Sequence, residues 1–208
     1  PGALAAVALR PLPALRRIRK SFPHPQSNML PSRAASLWPQ VEAMAKAQGS
    51  ITRIGSPAAA PCSSGPSSCP GGDTVAWFDA FFAACSNCKV DFLATHYYGC
   101  DTGELSAFLK SLSKYSLPIW LTEWNCGDGA KNASAAEHLA YMTAAIPVLE
   151  TNPQVERYVW QTARNTKEPG ATMFTGDGSP GNPVTPTKLG QYYMTAPTTD
   201  VVAPGLRG

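Results

Sequence analysis

The 208-residue sequence predicts an α/β fold built on a parallel sheet. Short apolar, β-rich runs alternate along it with amphipathic helical segments, and strand then helix, repeated, is the pattern of parallel strands joined by crossovers. A second observation concerns position. Glu123, His96, Tyr98, Trp124, Trp160 and Gln161 all fall at the carboxyl ends of predicted strands, which is where parallel sheets place their ligand sites.

The elements follow in order. A helix is predicted from about Pro31 to Gln48, with Leu37, Trp38, Val41, Met44 and Ala45 on one face and Gly49 as its stop. Ser50-Ile51-Thr52-Arg53-Ile54 reads as a first strand. From Asp73, a possible N-cap, to Cys85, the residues Trp77, Phe78, Phe81 and Phe82 recur at helical spacing. Val90 to Tyr98 reads as a strand, Leu105, Phe108, Leu109 and Leu112 as a helix face, and Pro118 to Trp124 as the next strand. Ala136, Leu139, Ala140, Thr143 and Ile146 continue as a helix with Pro147 near its end, before Val155 to Gln161 gives a last strand. Two Pro/Ser/Gly-rich stretches, Gly55–Gly72 and Ala163–Pro186, follow the first and last strands. They read equally as walls of a cleft and as plain variable loops.

The segment Pro118-Ile119-Trp120-Leu121-Thr122-Glu123-Trp124-Asn125-Cys126 delivers one carboxylate, flanked by tryptophans, to the end of an apolar run. Sugar-bond chemistry needs that combination: the anion stabilises a developing oxocarbenium ion, while aromatic faces hold the pyranose ring. The plain alternative is a strand whose last acidic residue is solvated. His96 likewise reads either as a sugar contact or as a hydrogen-bonded core histidine, and Trp124 and Trp160 either as stacking platforms or as packing between sheet and helices.

In their fixed order, Val90–Tyr98, Leu117–Glu123 and Val155–Trp160 resemble glycoside hydrolase family 128, over roughly Gln26 to Met194. The resemblance implies a (β/α)8 barrel and a retaining β-1,3-glucanase, mostly endo-acting. It makes the strands here barrel strands five to eight, with Glu123 the nucleophile at the end of strand seven. His96 and Tyr98 match a His-aromatic-Tyr motif that contacts sugar, with Tyr97 where Trp is common.

One departure from the family pattern stands out. A retaining glycosidase needs a second carboxylate about 5–5.5 Å from the first to protonate the leaving oxygen. The family carries it in an Asn-Glu-Pro motif just before a stretch like Gln26-Ser27-Asn28-Met29. Here that place reads Lys20-Ser21-Phe22-Pro23-His24-Pro25, and no acidic residue precedes Glu42. Arg10, Arg16, Arg17, Arg19 and Lys20 give the first 20 residues five positive charges, against a net charge of +3 for the whole chain. Residues 1–25 are therefore expected to form an atypical, disordered basic arm, residues 26–196 a partial barrel domain that is N-terminally truncated or altered, and residues 197–208 a tail. A complete barrel of this type takes about 250 residues, so the expected architecture is an incomplete (β/α)8 TIM-type barrel.

Six cysteines point to an oxidising compartment. The expected bridges are Cys62 with Cys69, Cys85 with Cys88, and Cys100 with Cys126, the last pair following the ends of neighbouring strands. Cys85-Ser-Asn-Cys88 is also a metal-type C-x-x-C, but His24, His96 and His138 are scattered, so no metal is expected. Asn132-Ala133-Ser134 fits a glycosylation sequon. No phosphate-cradling glycine motif or serine nucleophile elbow occurs, and the basic arm lacks interleaved aromatics. The expected protein is a secreted or wall-associated monomer without cofactor, nucleic-acid or membrane partner, acting on the polysaccharide β-glucan. The alternative, raised by the missing acid, is a non-catalytic glucan-binding module.

Overall fold

The structure, a computed structural model, describes residues 29–59, 73–127 and 133–198. Helix α1 (Pro31–Gln48) begins on a proline whose preset φ suits a first helical residue, and it stops where Gly49 turns left-handed with φ 64°. Helix α2 (Thr74–Ala84) starts at Asp73, whose side chain accepts from Ala76 N at 2.8 Å. The two helices close a small aromatic cluster in which Trp38 meets Phe81 edge-on at 5.4 Å.

Strands β1 (Leu93–Tyr97), β2 (Ile119–Trp124) and β3 (Val155–Trp160) form a parallel sheet in that order. Their crossovers are helix α3 (Thr102–Leu112), capped by Asp101, and helix α4 (Ala135–Thr151), opened by a reciprocal capping box between Ser134 and Glu137. One core joins sheet and helices: Leu93, Ile119, Leu121 and Trp124 from the strands, Leu105, Leu109 and Leu112 from α3, and Met142, Ile146 and Leu149 from α4. Each buried Leu or Ile adds about 1.5–3 kcal/mol, so the sheet-helix seam is where stability concentrates.

The expected first strand is corrected. Residues 50–54 form no strand. The chain instead runs parallel to β1 through single bridges at Gly55 with Phe92 and Ala59 with Thr95. Pro57 has no N–H to extend a ladder, and the Ser56 hydroxyl substitutes for backbone by accepting from Ala94 N at 2.9 Å. At the amino ends of the strands, Arg53 forks onto Glu156 at 2.6 and 2.7 Å, and Trp120 Nε1 donates to the same carboxylate at 3.1 Å.

After β3 the chain is more ordered than a plain loop. A short helical turn at Pro169–Ala171 leads to an antiparallel pair, β4 (Phe174–Thr175) with β5 (Thr185–Pro186), and then to helix α5 (Lys188–Thr195), which packs on α4. The pattern of the sequence did not foresee α5. The basic arm of residues 1–25 with His24, the Cys62–Cys69 pair and the sequon residue Asn132 lie outside the described residues, as do residues 199–208 of the expected tail.

Candidate active site

Strand β2 opens as an alternating pleat: Ile119 and Leu121 face the helices, and Trp120 lies between them. A strict period of two would bury residue 123 next. The register with β1 slips at this point. Thr95 pairs with Leu121 and His96 with Glu123, so Thr122 is an extra residue. Its hydroxyl donates to Thr95 O at 3.1 Å across the irregularity. The extra residue inverts the phase of the pleat, so that Trp124 takes the core position and Glu123 turns to the open face, its side chain 22% exposed.

Two neighbours from the end of β1 meet Glu123. Tyr98 donates its hydroxyl to Glu123 Oε2, and His96 Nδ1 stands 3.3 Å from the same oxygen. Burial pushes the His96 pKa down, outweighing the attraction of Glu123, so the imidazole is held toward its neutral form. The Tyr98 phenol is pushed up by burial first, then by its hydrogen bond to Glu123 and by the charges of Glu123 and Glu168, and it stays a donor. Both partners engage Oε2. Among the described residues no hydrogen bond reaches Oε1, so that oxygen is the one open for attack on an electrophilic carbon.

The remaining expected site residues divide. Trp124 is 0% exposed and Trp160 is 2% exposed, which corrects the expectation that they stack on sugar rings. Trp124 sits edge-on to Trp160 at 4.7 Å and to Tyr141 at 5.9 Å, and Trp160 Nε1 donates to Ala171 O at 2.9 Å. No ring face is left for a ligand. Gln161 is half-buried just beyond β3 and contributes backbone: its N–H donates to Trp124 O at 3.0 Å and its carbonyl accepts from Asn125 Nδ2 at 2.9 Å. Tyr97 points into the core against Phe108, and burial pushes its phenol up to about 12.

The expected bridge Cys100–Cys126 is present with a Cα separation of 4.4 Å, and Cys85–Cys88 is present with 5.2 Å. Cys100–Cys126 joins the segment after Tyr98 to the segment after Glu123, which confirms that their strands are neighbours. Two residues escaped the sequence reading. Asn125 and Glu168 are buried and hydrogen-bonded to each other at 2.9 Å. Asn125 carried a weak signal, its place just past a strand end, whereas Glu168 lies in a segment without periodicity. Among the described residues no group of three or more His, Cys, Asp or Glu side chains is placed to hold a metal, and no helix is long and apolar enough to cross a membrane.

A family model described as the glycosyl hydrolase catalytic core matches residues 20–193. The chain belongs to that family. Its structural relatives are family 128 glycoside hydrolases, as the three strand motifs implied. It is similar to a subgroup II endo-β-1,3-glucanase from Sorangium cellulosum, with a TM-score of 0.69 and 31% identity over 83% of this chain and 65% of that one. It is similar also to a mutant of a subgroup I endo-β-1,3-glucanase from Amycolatopsis mediterranei in complex with laminaritriose and laminaribiose. There the TM-score is 0.60, with 31% identity over 82% of this chain and 67% of that one. Over 129 residues it is 40% identical to alkali-sensitive linkage protein 1 of Schizosaccharomyces pombe, a stretch that is 61% of this chain and 22% of that protein. The glycosyl hydrolase chain thus spans roughly a fifth of this curated relative and about two thirds of the solved ones.

Proposed function

We propose that this glycosyl hydrolase chain is the nucleophile-bearing part of a retaining, endo-β-1,3-glucanase-like enzyme. The observation that carries the reading is the Glu123 carboxylate, turned to the open face by the Thr122 irregularity and held at one oxygen by Tyr98 and His96. Glu123 Oε1 attacks the anomeric carbon to form a glycosyl ester, the glycosidic oxygen departs with its electron pair, and water later releases the sugar. Tyr98 and His96 fix the rotamer of the carboxylate and spread the charge on Oε2. In this reading the three parallel strands belong to the second half of a (β/α)8 barrel, and the protein works outside the cell or in the wall, in keeping with its disulfides. The substrate class, β-1,3-glucan, comes from the laminari-oligosaccharide bound by the Amycolatopsis relative.

A second reading, a glucan-binding module without turnover, is favoured by one observation: the stretch Lys20–Pro25, where the family pattern carries its acid, holds no Asp or Glu. Losing general-acid help costs about 10²–10⁴ in rate. Calorimetric titration of the 208-residue chain with laminari-oligosaccharides, run beside a reducing-sugar assay, separates the two. Product formation that disappears in Glu123→Gln supports the enzyme. Binding without product supports the module, and turnover that survives in Glu123→Gln refutes the nucleophile.

A further inference from the structure

Behind Glu123 lies a polar assembly that the attack itself does not use. Asn125, 1% exposed, follows the nucleophile by two residues and ties together the carboxyl ends of all three strands. Its N–H donates to Tyr97 O at the end of β1 at 3.3 Å, and its side-chain Nδ2 donates both to Gln161 O beyond β3 and to Glu168 Oε2, each at 2.9 Å.

Glu168, 8% exposed, is the far anchor of this staple. Its Oε1 lies 3.5 Å from His138 Nε2 on α4. The backbone around it is fixed twice more: its N–H donates to Asn165 Oδ1 at 2.9 Å, and its carbonyl accepts from Ala171 N at 3.0 Å. The turn that follows lies so close to the start of α4 that a Cβ on Gly170 would stand 2.3 Å from Ala133 O. A carboxylate is costly to bury unless donors meet it. Here the donor comes from the residue next to Trp124, and the charge reaches the Tyr98 phenol that binds Glu123.

We propose that Asn125 and Glu168 are positioning residues for the attack: their hydrogen bond, on the reading that Glu123 is the nucleophile, clamps residues 161–171 onto the end of β2 and holds Glu123 Oε1 in line with the anomeric carbon, with the Tyr98 hydroxyl on Oε2. A role in packing alone would lower stability and leave the chemistry of the folded protein untouched.

The test needs a donor that works without a general acid. The dinitrophenyl β-glycoside of laminaribiose, fluorinated next to the anomeric carbon, meets that need. Glu123 Oε1 forms a bond to the anomeric carbon, the bond to the dinitrophenolate breaks, and the phenolate leaves with the electron pair unprotonated. Intact-mass and peptide mass spectrometry read the adduct. Its rate against reagent concentration, taken well below the melting temperature of each variant, separates the maximal rate from the half-saturating concentration. The 208-residue chain is expected to take one label, on Glu123. Asn125→Ala and Glu168→Ala are expected to label about 10- to 100-fold more slowly at saturation, with half-saturation changed by less than about twofold. Glu168→Gln keeps an acceptor for Asn125 and is expected to recover most of the rate.

Should an alanine variant fail to fold, Asn125→Asp carries the test: it keeps the shape, sets a like charge against Glu168, and is expected to slow labelling by about tenfold. Folded variants that label at the parent rate overturn the positioning role while leaving the nucleophile standing. A parent chain that binds laminari-oligosaccharides but takes no label on Glu123 overturns the nucleophile, and the inference with it.

Discussion

Tyr98 and Glu123 meet across the ends of β1 and β2, the phenol donating to the carboxylate oxygen that His96 Nδ1 also faces at 3.3 Å. The contact depends on the slipped register that pairs His96 with Glu123 rather than with Thr122. Removing a hydrogen bond to a charged group costs about 1.5–3 kcal/mol. Tyr98→Phe is therefore expected to lower the maximal rate of glycosyl transfer to Glu123 by about 10- to 100-fold with the fold intact, as read by adduct formation and circular dichroism. An unchanged rate would leave Tyr98 as a sugar contact only.

Much of this arrangement was legible in the sequence, and the exceptions have physical reasons. Helices α1 to α4 announced themselves through local chemistry: Gly49 as a stop, Asp73 as a cap, and apolar residues at helical spacing. Glu123 was legible because an apolar run ended on it. The irregularity at Thr122 was not, since only pairing with β1 creates it. Trp124 and Trp160 looked like platforms at the strand ends, although the inverted pleat of β2 carries Trp124 into the core and the alternation of β3 carries Trp160 there. The first strand was misplaced because its pairing begins only at Ile54, whose carbonyl accepts from Asp91 N at 2.7 Å, and continues through Ser56 and Ala59 rather than through residues 50–53. The Asn125–Glu168 bond spans 43 residues and leaves no periodic trace.

The burial of Trp160 and Trp124 makes opposite predictions for stability and binding. Truncating either to alanine is expected to cost about 3–5 kcal/mol in denaturant unfolding, because each fills the seam between β2, β3 and α4. Trp160→Phe, which stays folded, is expected to bind laminari-oligosaccharides with unchanged affinity. Weakened binding with intact stability would restore its role as a platform.

The Cys100–Cys126 bridge closes a loop of 26 residues between the two segments that flank the site. In the chain-entropy model such a loop is worth about 3 kcal/mol. Replacing both cysteines by serine is expected to lower the unfolding free energy by that order. Non-reducing peptide mapping of the parent is expected to recover the linked pair, and any other pairing involving Cys100 would refute the bridge.

The last prediction concerns pH. Burial pushes the pKa of both His96 and His138 below its ordinary value near 6.5, in each case against an opposing carboxylate: Glu123 for His96, Glu137 for His138. A histidine whose folded pKa is depressed binds fewer protons when folded than when unfolded, between the two pKa values. Its contribution to stability is therefore complete above about pH 6.5 and is lost as the pH falls from there toward the folded pKa. His138 is fully enclosed, its Nδ1 has no hydrogen-bond partner among the described residues, and Glu168 Oε1 lies 3.5 Å from its Nε2, so burial outweighs the nearby carboxylates in holding the imidazole toward its neutral form. Thermal melts between pH 7.5 and 5 are expected to show a falling melting temperature in the parent. The same series on His138→Asn is expected to start lower at pH 7.5, because the asparagine fills the site less well, and to fall less steeply. Parallel slopes for parent and variant would mean that His138 does not titrate differently in the folded and unfolded chains, and the acid sensitivity would then belong to His96 and the carboxylates.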